Sequence, residues 1–458
     1  TGSRMRQFAK KLVAGRPVEV VTLGGSTTAG LGAYLGGDYS KRFEAWLQAT
    51  FDVSPEQARR RAEESASGSS KGALEDLGGE ASNNATHRVL RRGMAAAPSA
   101  MFNICYDALV PPTGDLYVLE FAINDWWGNA FNAAPRYDLE QLIRRLLALP
   151  QRPAVVMLLQ YAHFTASGLP WNSDEHAQSF FGQYYDVPVL SMRNAVMPYI
   201  ASGARGFQVD TNLLTIITDG KRANVPWTGT EDAEFRLLYH DGVHPADLTG
   251  HRVLSDLLVG LVRDSLSDTR EVEDPTAAAP MPFALPNNVD AHNSACFLQD
   301  SLQALAPADQ PGKWTWAASN PAAPSVGGQK WGWQASEPGA ALLLALDSRV
   351  PAQPDKPAQL VLGLLRSKKR VGSLLVTCVE NCTCDPMIHH PYWTKSSSQA
   401  DFFKQPISQH EHCKLSLTVA EDTQTEGHLI VVRAVMVASA ETQLPVDLRD
   451  NADGELGV

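Results

Sequence analysis

Val18-Glu-Val-Val-Thr-Leu-Gly-Gly-Ser-Thr-Thr-Ala-Gly30 is the stretch on which the fold turns. A short run rich in Val and Leu reads as a strand covered on both faces, and it breaks at two glycines followed by three hydroxyl residues. Leu116–Ala122 and Ala154–Tyr161 are runs of the same kind. Between them, Leu139, Leu142, Ile143, Leu146 and Leu147 recur at helical spacing. Asp138 and Gln141 stand in capping-box positions, and Pro150 is the stop. Strands alternating with helices from residue 18 to 262 predict an α/β fold: a three-layer, flavodoxin-like, mostly parallel sheet with crossover helices. Ligands in such sheets sit at the carboxyl ends of the strands.

After about residue 290 the helical period disappears. Short apolar runs recur at Ala341–Leu346, Gln359–Leu365, Leu374–Val379, Leu415–Val419 and Leu429–Val437, separated by Gly, Pro and polar turns. That pattern predicts an antiparallel, jelly-roll-like β-sandwich. The expected organisation is a catalytic domain over 1–266, a linker over 267–289 and an accessory sandwich over 290–458. Residues 54–86, charged and then rich in Ser, Gly, Glu and Asn, read as a mobile surface insertion.

The 458 residues suffice for two or three domains. A net charge of -11 argues against a nucleic-acid partner, and no apolar run approaches the roughly 18 residues of a membrane span. Of the six cysteines, Cys296, Cys378, Cys382, Cys384 and Cys413 fall late in the chain. Cys378, Cys382, Cys384 and Cys413 with His389, His390, His410 and His412 contain enough donors for zinc, but the spacings do not match a zinc ribbon. Disulfides and an oxidising compartment are the expectation. Cys105 is expected to be a buried free thiol. Sequons at Asn84 and Asn381 are compatible with N-glycosylation and with a secretory or extracellular location.

Three places carry candidate chemistry. Gly24-Gly25-Ser26 lets the chain reverse and exposes a serine at the end of a strand and the start of a helix. A phosphate loop would need a Lys-Ser/Thr pair after the glycines, and none is present. Asn124, in Ala122-Ile123-Asn124-Asp125, leaves a second strand end where its amide can face a developing oxyanion. In Asp241-Gly242-Val243-His244-Pro245 a carboxylate three residues before a histidine can hold Nδ1 and leave Nε2 free to take a proton from a serine. Trp126 and Trp127 offer a stacking wall for a sugar ring or a buried strand-end pair. His163, at another strand end, lines the same cleft or sits hydrogen-bonded in the core.

Gly-Gly-Ser-Thr, Ile-Asn-Asp and Asp-x-x-His-Pro, in that order, resemble three blocks of the SGNH hydrolases, the GDSL-type esterases, over roughly residues 17–263. The resemblance implies Ser26 as nucleophile, His244 as general base and Asp241 as its orienting acid. It also implies an oxyanion hole of the Ser26 and Gly93 N–H groups with the Asn124 side chain, and no metal or cofactor. Gly25 stands where the family often has Asp, a form similar to carbohydrate-active members. Ala122 stands where Gly is usual, which narrows the pocket. The expected activity is removal of acetyl or another small acyl group from a carbohydrate. An O-acyltransferase using the same residues and a non-catalytic glycan-binding or cell-surface protein on this scaffold are the alternatives.

Overall fold

The computed structural model describes residues 2–33, 37–53, 56, 86–125, 131–209, 237–268, 270, 281–290, 293–307, 313–318, 330–394 and 398–440. In the first part, β1 (Glu19–Gly24), β2 (Arg88–Gly93), β3 (Leu116–Glu120), β4 (Ala154–Leu159) and β5 (Val189–Ser191) form one sheet in the order β2-β1-β3-β4-β5. Every pair is parallel, so each connection must cross back over the sheet. The helices are α1 (Ser3–Val13), α2 (Tyr39–Thr50), α3 (Ser99–Ile104), α4 (Tyr106–Leu109), α5 (Ala134–Leu147), α6 (Glu175–Tyr184), α7 (Met192–Ala201) and α8 (Gly250–Ser267).

Strands β1, β3 and β4 are buried along their whole length, as their continuous apolar runs require. Their alternate residues divide between two cores. Val20, Leu116, Val118, Val156 and Leu158 pack against Phe8 of α1, Phe43 of α2 and Leu254 of α8. Val21, Leu23, Tyr117, Leu119 and Met157 pack with Phe102 of α3, Leu142 of α5 and Phe181 of α6. The three-layer expectation is met, and the strand order is the flavodoxin-like one with its switch point between β1 and β3.

α5 begins at Ala134 with a proline in its first turn, four residues before the expected cap. Asp138 lies inside the helix, where its carboxylate accepts from Asn103 Nδ2 at 2.9 Å instead of capping a terminus. A polar pair buried between α3 and α5 therefore gave the appearance of a capping box.

The second part is β6 (Asn293–Leu298), α9 (Gln299–Gln303), β7 (Thr315–Ala317), β8 (Gly332–Ala335), β9 (Ala341–Leu346), β10 (Ala358–Arg366), β11 (Leu374–Glu380), β12 (Met387–His389), β13 (Gln399–Ile407), β14 (Cys413–Val419) and β15 (Ile430–Ala438). One antiparallel sheet runs β13-β10-β15-β8-β7 with β6 also on β15, and the other runs β12-β11-β14-β9. Leu360, Leu362, Val376, Leu417, Val432 and Val437 fill the space between them. The outer face of the larger sheet is buried too. Val361, Phe402, Ala434 and Met436 join the core that holds Val21 and Phe102, which is why β15 is apolar on both sides.

Cys105 is not a free thiol. It ends α3 inside that shared core and is bonded to Cys296 on β6, across a separation of 191 residues. Separation along the chain hid a contact that the packing of the sheet on α3 makes direct. Cys378–Cys384 and Cys382–Cys413 are the other two disulfides among the described residues. Replacing Cys105 and Cys296 together by Ala is expected to lower unfolding free energy by about 2–5 kcal/mol, read as a fall in the denaturant midpoint under non-reducing conditions. An unchanged midpoint would contradict a structural role for this bond.

Of the stretch expected as a linker, the described residues 281–289 lie against α5. Glu140 of α5 accepts from Leu285 N at 3.3 Å and Asn288 Nδ2 at 2.7 Å, Gln141 donates to Asn288 at 2.8 Å, and Arg144 stacks on Phe283 at 3.9 Å. The insertion expected over 54–86 falls outside the described residues except for Glu56 and Thr86, and Asn84 does too.

Candidate active site

Ser26 sits one residue past Gly25 in the turn that leaves β1, half-buried where its neighbours are buried. Ala29 N donates to Gly25 O at 3.0 Å and Leu31 N to Ser26 O at 3.0 Å, so the chain makes about one helical turn. It then opens at Gly30 (φ 92°) and Gly32 (φ 89°). The expected helix start is thus a single turn, and α2 begins only at Tyr39. Both strand-end glycines are required by close approach. A Cβ on Gly24 would lie 2.2 Å from Thr28 Oγ1 and 2.7 Å from the Glu120 carbonyl, and one on Gly25 would lie 1.9 Å from Asn124 Oδ1. A Cβ on Gly32 would lie 2.1 Å from the Pro245 carbonyl, so the turn leaving Ser26 runs against the segment carrying His244.

That segment supplies a continuous chain of hydrogen bonds. Asp241 Oδ1 accepts from the N–H groups of Val243 and His244, each at 2.7 Å. Asp241 Oδ2 lies 2.6 Å from His244 Nδ1, and His244 Nε2 lies 2.7 Å from Ser26 Oγ. Burial opposes the Asp241 charge, but attraction to His244 and the hydrogen bonds from His244 and Val243 outweigh it and hold the carboxyl well below the usual carboxylate range. The backbone bonds fix the carboxylate, which in turn aims the imidazole.

Asn124 follows β3 in a turn closed by its own N–H on Phe121 O at 2.9 Å, with its side chain buried against Gly25. Gly93 ends β2 directly opposite Gly24 of β1. A Cβ there would come within 2.2 Å of Ala29 N, so packing alone demands glycine at this position. Ser26, Asn124 and Gly93 are therefore gathered at the carboxyl ends of β1, β3 and β2. His163 packs edge-on against Tyr161 and Phe164, and burial lowers its pKa. Trp126 and Trp127 lie outside the described residues. Asn381 is exposed and donates to the His412 carbonyl at 3.0 Å. Among the described residues no cluster of His, Cys, Asp and Glu has the arrangement of a metal site.

Three residues that support the site had no motif to announce them. Glu120 ends β3, and its buried carboxyl takes hydrogen bonds from Thr28 Oγ1, at 3.1 Å, and from the N–H groups of Thr28 and Gly25. Burial outweighs these bonds and pushes its pKa up to about 8. Gln160, one residue past β4, accepts from Thr27 Oγ1 at 2.5 Å and donates to the Val243 carbonyl at 2.7 Å, so one amide bridges the neighbours of Ser26 and His244. His251 of α8 accepts from Tyr39 N at 3.3 Å through Nδ1 and sets Nε2 2.9 Å from the Leu31 carbonyl. Burial lowers its pKa to about 4, which keeps the ring neutral in this role. The available signal was a polar residue at the end of an apolar strand, which at β4 is Gln160.

No family model matches the chain, and no curated protein matches it in sequence. Among solved structures it is similar to a two-domain esterase active on acetylated mannans, at 14% identity and a TM-score of 0.56 over 96% of both chains. The structure of a two-domain esterase of the same description co-crystallised with mannopentaose aligns at 13% identity and a TM-score of 0.54, over 95% of this chain and 94% of that one. The parallel α/β sheet and the added antiparallel sandwich thus recur together, in the same chain order, and the protein has the fold of a two-domain esterase.

Proposed function

We propose that the protein is a serine esterase that removes acetyl or another small acyl group from a carbohydrate. The observation that carries this reading is the bond chain from Asp241 through His244 to Ser26 Oγ, with distances of 2.6 and 2.7 Å, next to Gly25, against which the Asn124 side chain packs. His244 Nε2 takes the hydroxyl proton as Ser26 Oγ adds to the ester carbonyl carbon. Asp241 stabilises the imidazolium that forms. The Ser26 and Gly93 N–H groups and the Asn124 side chain receive the oxyanion. Collapse breaks the bond to the sugar oxygen, which leaves with the proton from His244. Water then repeats the sequence on the acyl-enzyme and releases the carboxylic acid. The chemistry uses only protein groups.

The carbohydrate assignment is supported by the shared two-domain fold with a protein described as active on acetylated mannans. Three disulfides favour synthesis into an oxidising compartment. The catalytic unit is taken as 1–266 and the accessory unit as 290–458.

A fluorophosphonate probe tests the reading. Covalent labelling of the folded wild-type protein at Ser26, and none of Ser26→Ala, is the expected result. Failure of the folded protein to label would favour a glycan-binding scaffold without catalysis.

A further inference from the structure

The second domain reaches the backbone of the two segments that carry Asn124 and Gly93. Gln399, the first residue of β13, is buried and donates from Nε2 to the backbone carbonyl of Asn124. Next to it, Ala400 N donates to the Ala96 carbonyl at 3.2 Å. Arg433 of β15, also buried, donates to the Ala95 carbonyl at 2.9 Å. Ala95 and Ala96 follow Gly93 directly through Met94, whose N–H is bonded to Gly24 O at 3.0 Å. Lys330 holds the residue before Gln399 in place, with Nζ on the Ser398 carbonyl at 2.9 Å and its hydroxyl at 2.6 Å.

The first domain grips the same turn one residue later. Asp125 Oδ1 accepts from Ser99 N at 2.7 Å, and Arg136 donates to the Asp125 carbonyl at 2.8 Å and to Asp174 at 2.5 Å. The backbone on either side of Asp125 is therefore held from both domains, the Asn124 carbonyl by Gln399 and the Asp125 carbonyl by Arg136. A side-chain amide that must meet a developing charge within a few tenths of an ångström depends on such a clamp, because about 1 Å of misplacement costs roughly 100-fold in rate.

We infer that Gln399 is a positioning residue for the Asn124 oxyanion donor, so that the β-sandwich forms part of the catalytic apparatus. This rests on the esterase reading above. Removing the Gln399 amide leaves a carbonyl at a buried contact without this donor, which favours rotation of the turn toward another partner.

The test is Gln399→Met, which keeps the volume and removes the donor. It is made in wild-type and Asn124→Ala backgrounds and assayed on 4-nitrophenyl acetate, a substrate too small to report on glycan contacts. In the wild-type background kcat is expected to fall roughly 10- to 100-fold with KM little changed. In the Asn124→Ala background the same change is expected to have less than about a twofold effect, because the group being positioned is gone. Equal losses in both backgrounds, or none in either, would overturn the inference. Gln399→Glu is the second variant should the methionine one not fold.

Hydrogen exchange of the peptide spanning residues 121–125, whose Asn124 and Asp125 amides both bond to Phe121 O at 2.9 Å, reads the clamp without turnover. Faster exchange in Gln399→Met supports the clamp, and unchanged exchange overturns it. A wild-type protein inactive on every ester would sink the esterase reading, and exchange would still decide the clamp.

Discussion

Ser26→Ala is expected to lower acyl release from an acetylated polysaccharide by at least about 10⁴-fold while the protein melts within ~2 °C of wild type. The two halves have different causes. In the proposed mechanism Ser26 Oγ forms the bond to carbon, and among the described residues its one side-chain hydrogen bond is the 2.7 Å one to His244 in a half-buried setting, so little packing is lost with the hydroxyl. Acid titration of released acetate from wild-type and variant protein, beside a melting curve for each, checks both. Acyl release by the variant at the wild-type rate would remove the mechanism altogether.

Gly25→Ala should cost roughly 10²- to 10³-fold in kcat/KM with Ser26, His244 and Asp241 all intact. The added methyl would stand 1.9 Å from Asn124 Oδ1, far inside contact distance, and something must move. The Asn124 side chain is the part that can yield, and its displacement takes the proposed donor from the oxyanion. The prediction is sharpened by the double variant. Once Asn124 is Ala the obstruction is gone, so Gly25→Ala with Asn124→Ala should be no worse than Asn124→Ala alone. A Gly25→Ala enzyme within threefold of wild type, measured on the same ester, would show that the glycine is there for some other reason.

The central strands could be read from the chain because residues buried on both faces leave a continuous apolar record, as at β1, β3 and β4. The edges left no such record. β2 reads Arg-Val-Leu-Arg-Arg-Gly, and two of its three charges are explained only once Arg88 meets Glu19 and Arg91 meets Asp38, the latter at 2.5 Å. β13, at the edge of the larger sandwich sheet, carries Lys404 and Pro406, which an edge strand tolerates and a central one does not.

The site divides in the same way. Asp241 and His244 lie three residues apart on one turn, and Ser26 and Asn124 each follow an apolar strand, so local pattern exposed them. Glu120, Gln160 and Gln399 act through backbone and side-chain groups distant in sequence, and nothing in their immediate neighbours marks them. Cys105 was missed for that reason as well, since its partner is defined by how one sheet lies on α3.

The Gln160 amide has a mechanical consequence. The residues that make the short Ser26–His244 contact are 218 positions apart and lie on loops that could fluctuate independently. Gln160 ties Thr27 to Val243 through one rigid planar group, so excursions of the two loops become largely a shared displacement. What matters for proton transfer is their separation, the difference coordinate, and a stiff strut acts on that coordinate alone. The surrounding surface can then deform while the separation of Ser26 Oγ and His244 Nε2 stays nearly constant.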